Sequence, residues 1–161
     1  MADEPTRHPL LGRSSRSRRR ELRVWLSMLS LHGEIFTRLN RALSSACGLS
    51  IAKFDVLAQL DRCPGGMTLG QLSQRLKVTG GNVSGLVRRL VADGLITREM
   101  SSTDRRSFVV DLTSAGKTVF DQACIVHQAE LEACFKSIPT RELDAVLHAL
   151  DRLNGILPGG R

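Results

Sequence analysis

The sequence predicts a mainly α fold built around a helix-turn-helix, with a two-stranded β wing behind it and long helices supplied by the N- and C-terminal parts of the chain. Three observations carry this. Apolar residues recur at helical spacing through most of the 161 residues. Two such runs are short and meet at Lys77-Val78-Thr79-Gly80, a turn-tolerant break. Two strand-like runs, 95–100 and 107–112, flank the polar loop Ser101-Ser102-Thr103-Asp104-Arg105-Arg106.

Residues 1–17 are rich in Arg, Ser and Pro and are expected to form a disordered basic arm ahead of one domain at 18–161. Ser17-Arg18-Arg19 before Val24-Trp25-Leu26 superficially resembles a twin-arginine export signal. The apolar run is short, however, broken by Ser27 and Ser30, and it ends at His32 and Glu34 with no small-residue cleavage site. Nothing approaches the ~18 apolar residues of a membrane span, so a cytoplasmic protein with no membrane partner is expected.

From about 19 to 47, Leu22, Trp25, Leu26, Leu29, Phe36, Leu39 and Leu43 hold one helical stripe, with a bend expected at Gly33. Gly48 stops this helix and Ser50 caps the next, which Phe54, Leu57 and Leu60 carry to the Cys63-Pro64-Gly65-Gly66 turn. Thr68 followed by Gln71 is a capping-box signature, so a helix begins at about Leu69, with Leu69, Leu72 and Leu76 on one face. Thr79 is a second candidate N-cap. Beyond it Val83, Leu86, Val87, Leu90 and Val91 follow the amphipathic template to Asp93-Gly94, with Gly94 suited to a left-handed C′ position.

The other face of that second helix suggests chemistry. At 100° per residue Gly81, Gly85 and Ala92 lie farthest from the apolar stripe, flanked by Asn82 and Arg89 on one side and Ser84 and Arg88 on the other. Glycine inside a helix costs roughly 1 kcal/mol relative to alanine, so two of them there point to close backbone approach by a partner. Arg reads guanine edges, Asn reads adenine, and Ser or Thr holds phosphate, so Thr68, Thr79, Gly81, Asn82, Ser84, Arg88 and Arg89 are candidate contacts of a helix lying in a major groove. The alternative is a solvated basic face. At the hairpin tip Arg105 and Arg106 can enter a minor groove, with Asp104 orienting one of them.

After the wing, Thr113 starts a long helix with Ala115, Val119, Ala123, Val126, Leu131, Cys134 and Phe135 on its apolar side. Pro139-Thr140 then opens a last one carrying Leu143, Val146, Leu147, Leu150 and Leu153. The terminal helices have more apolar face than one small domain needs.

The order of these elements resembles the MarR family of bacterial transcriptional regulators. The most specific part is Asp104-Arg105-Arg106, a short β run, then Leu112-Thr113-Ser114-Ala115-Gly116; weaker resemblance extends over 22–156. The resemblance implies a winged-helix homodimer that binds a pseudopalindromic operator and is released by a small ligand or by oxidation. It also implies a DNA-binding lobe at about 50–112 and a dimerisation lobe from helices at about 18–47 and 113–157. Gly80-Gly81 at the start of the recognition helix departs from the family pattern.

Composition agrees. The net charge is +7, and residues 1–112 hold 18 basic and 10 acidic groups against 5 and 6 in 113–161, so the basic half is the expected DNA-reading half. Cys47, Cys63, Cys124 and Cys134 show no C-x-x-C spacing and suit a reducing compartment. His8, His32, His127 and His148 have no metal-like spacing, and no hydrolase, Walker or zinc-protease motif is present, so neither metal, cofactor nor catalysis is expected.

The expected function is that of a ligand-responsive transcriptional regulator of the repressor kind. Trp25, Met28 and His32 share a helix face, and Phe36 and Phe54 can wall the same cleft, in which His32 supplies a polar handle. The Arg-rich run 16–23 can hold a carboxylate or phosphate, so the expected ligand is a small aromatic or acyl anion, a coenzyme A thioester among them. Core packing is the competing account of those aromatic residues. Redox sensing through Cys47, or a winged helix docking an acidic protein partner, are the other functional readings.

Overall fold

The computed structural model describes residues 15–100 and 107–156. It divides after Thr37 into two compact units. The first is the leading part of helix α1 (Ser15–Cys47). Residues 15–17, assigned by composition to a disordered arm, are helical; arginine is a strong helix former, and a turn added to an existing helix needs no new nucleus. Helix α1 also runs through Gly33 without a break, where the Thr37 hydroxyl donates to the Gly33 carbonyl at 2.8 Å. Leu22, Val24, Trp25, Leu26, Leu29 and Leu31 all stand exposed on this unit.

The second unit holds the buried core. Leu39 and Leu43 from the end of α1 are buried in it. Gly48, at φ 66°, then turns the chain. Asn40 Oδ1 accepts from the Ile51 amide at 3.0 Å, and Ser50 caps helix α2 (Ile51–Asp61) through the Lys53 amide. Helix α2 buries Ile51, Phe54, Val56, Leu57 and Leu60. Helices α3 (Leu69–Leu76) and α4 (Gly80–Ala92) contribute Leu72, Val83, Val87 and Leu90. Helices α5 (Ser114–Phe135) and α6 (Thr140–Ile156) follow the sheet, and α6 buries none of its residues: Val146, Leu147, Leu153 and Ile156 are exposed.

The expected two-stranded wing is present and carries an additional short strand. Strands β2 (Ile96–Met100) and β3 (Phe108–Leu112) pair antiparallel, and a third strand, β1 (Met67–Thr68), pairs with the other edge of β3, giving the order β1-β3-β2. Two residues are too few to show a period of two, which is why β1 left no alternation to read. It is delivered by Gly66, at φ 79°, where a Cβ would stand 2.4 Å from the Val110 carbonyl oxygen.

The Leu112-Thr113-x-x-Gly116 segment has a structural cause. Thr113 caps α5 by accepting from the Gly116 amide at 2.9 Å while its hydroxyl donates to the Gly94 carbonyl at 2.8 Å, and the Thr113 amide donates to the Leu95 carbonyl at 3.1 Å. Helix α5 sits so close to this junction that a Cβ on buried Gly116 would lie 1.9 Å from the Leu95 oxygen. Gly116→Ala is therefore expected to destabilise the fold by about 2–4 kcal/mol, since backbone rather than a flexible side chain must yield. Chemical denaturation reads this, and an unchanged midpoint would contradict the close approach.

Candidate nucleic-acid interface

Helix α3 starts on the expected capping box: the Thr68 hydroxyl accepts from the Gln71 amide at 3.3 Å, and Gln71 Oε1 accepts from the Thr68 amide at 2.8 Å. The Thr68 hydroxyl lies 3.1 Å from the same Oε1, so it is committed to the helix start. The helix ends on Lys77 in the left-handed region, φ 54°, the one non-glycine residue at positive φ among the described residues. The Val78 amide donates to the Ser73 carbonyl and the Lys77 amide to the Gln74 carbonyl, the hydrogen-bond pair of a Schellman turn. This fixes the angle at which α4 leaves α3.

Thr79 has N-cap geometry, but its side chain makes no capping bond. Its hydroxyl therefore stays available beside the free amides of the α4 start. Asn82, Arg88 and Arg89 are exposed. Ser84 is exposed too, but its hydroxyl donates to the Gly80 carbonyl at 2.9 Å, leaving only acceptor capacity outward. Built Cβ atoms on Gly80 and Gly81 meet nothing within 4 Å, and one on Gly85 meets only Arg89 Nη1 at 3.8 Å. These glycines are not forced by packing inside the chain. What they supply is a smooth outer wall.

Val91, expected in the apolar stripe, is 38% exposed and lines a shallow groove of about 320 Å³ with Gly81, Ser84, Gly85, Arg88 and Arg98. Arg98, on β2, is a residue that sequence reasoning missed. Its guanidinium lies 4.0 Å from the centroid of the Phe108 ring on β3. The strand register pairs Arg98 with Val110, which makes Phe108 its diagonal neighbour on the same sheet face. That pairing joins distant residues and left no local signal in the sequence. The wing-tip residues Asp104, Arg105 and Arg106 lie outside the described residues.

The far end of α4 is held firmly. Gly94, at φ 72°, completes a second Schellman turn: its amide donates to the Val91 carbonyl and that of Leu95 to the Leu90 carbonyl, both at 3.0 Å. Asp93, at the same end, accepts an ion pair from Lys53 of α2.

The expected ligand residues divide between the two units. Trp25, Met28, His32 and Phe36 are exposed on the first, with the His32 and Phe36 rings 5.9 Å apart. Phe54 is buried in the second, stacked on His127 at 4.8 Å and tilted against Phe120 at 5.5 Å. His127, considered in the sequence only as a metal ligand, is thus an aromatic partner between α2 and α5. Burial pushes the neighbouring Asp55 carboxyl above the usual carboxylate range, and His127 partly offsets this. All four cysteines are free and half-buried; burial pushes the Cys124 thiol up, with Asp121 and Asp61 adding to it. Among the described residues no cluster of His, Cys, Asp and Glu can hold a metal ion, and no helix is long and apolar enough to cross a membrane.

The sequence profile of the MarR family matches residues 48–107, the stretch from the start of the α2 cap to the wing. A MarR family transcriptional regulator from Silicibacter pomeroyi, known from its crystal structure, is 42% identical, with 88% of this chain and 96% of that one covered and a TM-score of 0.76. The chain belongs to the MarR family. It is also 29% identical to the HTH-type transcriptional repressor YetL of Bacillus subtilis (strain 168) and 30% identical to the transcriptional activatory protein BadR of Rhodopseudomonas palustris. Those matches take in 66% and 68% of this chain, and the chain spans just under two thirds of each relative, 64% and 63%. Members of this family are regulators rather than enzymes, in keeping with the lack of catalytic motifs.

Gly85, half-buried on α4 and with no packing role inside the chain, sets up opposed effects on folding and binding. Gly85→Ala is expected to raise folding stability by up to about 1 kcal/mol, because the helix gains and nothing nearer than 3.8 Å resists. The same variant should weaken duplex DNA binding, because a methyl group then projects from the α4 wall. Thermal melting and a DNA titration on one preparation check both signs.

Proposed function

We propose that this protein is a transcriptional repressor that binds a pseudopalindromic operator as a homodimer, with α4 in the major groove and the Arg105 wing in the minor groove, and that a small ligand releases it. The observation that carries this is the outer face of α4. Gly81, Asn82, Gly85, Arg88 and Arg89 present backbone, one amide and two guanidiniums outward, and neither Arg88 nor Arg89 has an acidic partner among the described residues. Arg and Asn on a helix with nothing protruding between them suit base edges and phosphates. Repression follows the role of YetL, a transcriptional repressor; BadR is an activatory protein, so a reporter placed behind the operator decides the sign.

The dimer is supported by apolar surface left uncovered on both units: Leu22, Trp25, Leu26 and Leu29 on one, Val146, Leu147 and Leu153 on the other. Covering such residues is what obligate interfaces do, and a two-fold axis would set the two recognition helices ~34 Å apart, one DNA turn. Sedimentation at micromolar concentration is expected to show a dimer; a stable monomer would refute this assembly.

In an operator selected from a random DNA pool, Arg88→Ala and Arg89→Ala should each weaken binding, by about 1–3 kcal/mol where the side chain reads a base edge and by less, uniformly across sequences, where it holds phosphate. Arg105→Ala should cost affinity while the melting temperature holds. Unchanged affinity in both α4 variants would remove the recognition-helix assignment.

The ligand reading rests on Trp25, Met28, His32 and Phe36, exposed on the first unit, while Phe54 belongs to the core of the second; an aromatic or acyl anion, including coenzyme A thioesters, is the class to test. Adding such acids to the protein–operator complex is expected to release DNA, with the effect reduced in His32→Ala. Release by oxidant alone, abolished in Cys47→Ser, would replace the ligand with a redox signal.

A further inference from the structure

Arg98 is absent from the set of residues expected to touch DNA, yet it stands beside the recognition helix. It lies on β2 and lines the same groove as Gly81, Ser84, Gly85 and Arg88 of α4. Two guanidiniums from different elements thus border one open concavity. Neither has a carboxylate partner among the described residues, although the same unit pairs Arg38, Lys53 and Lys117 with acids. Like charges gathered at one groove repel each other unless an anion lies between them, and a phosphodiester is an anion that accepts from both.

Arg98 is also held ready. Its guanidinium stacks over Phe108 at 4.0 Å, and the cation–π attraction favours keeping the plane where it is. Phe108 is 37% exposed, and the face of its ring carries this arginine. The groove wall opposite is Gly81 and Gly85, where no side chain fills the space. A stacked guanidinium, a second unpaired guanidinium and an empty glycine wall form a cradle open to a backbone strand.

We infer that Arg98, positioned by Phe108, is a DNA contact that grips the backbone phosphate crossing the groove between α4 and β2, together with Arg88. This rests on the reading of α4 as a DNA-binding helix. Because the contact is to phosphate, it contributes affinity and register on the duplex but no sequence preference.

The test measures binding of the protein to an operator duplex selected from a random DNA pool, and to an unrelated duplex for comparison, over a range of salt concentrations. Arg98→Ala should weaken binding about tenfold at low salt and reduce the slope of log affinity against log salt by about one, with sequence preference and melting temperature unchanged. Phe108→Leu keeps the charge and loses the stacking, so it should retain the wild-type slope with a smaller, severalfold loss of affinity. Replacing single phosphates by uncharged methylphosphonates should identify one position whose loss costs wild type affinity and costs Arg98→Ala nothing further. Wild-type salt slope and affinity in Arg98→Ala would overturn the inference while leaving the α4 reading intact. A wild-type protein with no salt-dependent duplex binding would instead overturn the reading beneath it.

Discussion

The backbone of Leu95 is where α4, β2 and α5 are joined. The residue's own amide closes the Schellman turn that ends α4, and its carbonyl accepts from Thr113, the cap of α5. One residue later, β2 begins. Helix α4, strand β2 and helix α5 therefore share one small knot of hydrogen bonds, completed by the Thr113 hydroxyl, which donates to Gly94 and accepts from Gly116. Backbone bonds in such a place set angles more tightly than side-chain packing does, because they leave few rotamers to relax. Gly116 belongs to the knot because only a residue without Cβ lets α5 come this near.

Helix α4 looks poorly chosen if stability alone is considered. It carries Gly80, Gly81 and Gly85 and follows Lys77, which sits at positive φ. Each departure costs on the order of 1 kcal/mol. The offset comes from the inner face, where Val83, Val87 and Leu90 are almost wholly buried, and from the two Schellman turns that bracket α4, one ending α3 before it and one closing its own last turn. The two faces of one helix thus answer to different demands: the inner face holds it, and the outer face is kept clear for something to approach.

Most of this was legible in the sequence because it is local. A Thr and a Gln three residues apart, a glycine after an apolar stripe and a Leu-Thr-x-x-Gly run are decided by a few bonds between neighbours, and each appears where the spacing placed it. What escaped depends on distant pairing. Strand β1 is two residues long and exists only because β3 has a free edge. Val91 satisfies the helical template but lies at the border of the buried arc, toward Arg98. Arg98 shares a sheet face with buried Ile96, so alternation would place it inward. It is exposed because β2 runs out from the core, where the same face meets solvent, and burial depends on how far along the strand a residue sits as well as on parity. The stacking of Phe54 on His127 joins α2 to α5, a contact that no helical wheel contains.

The same geometry ties α4 to the helices around it. Its C-terminal end is joined to α2 through Lys53 and Asp93 and to α5 through Leu95 and Thr113, whereas its N-terminal end is held by the turn after α3 and by buried Val83, with no side-chain cap from Thr79. Helices α2 and α5 are in turn coupled by Phe54, Phe120 and His127 and by Lys117, which bridges Asp61 and Asp121 at 2.8 Å. Any shift of α5 against α2 must rearrange these aromatic and ionic contacts together with the backbone bonds at Leu95. The position of α4 therefore depends on the packing of α2 and α5 as well as on its own buried face.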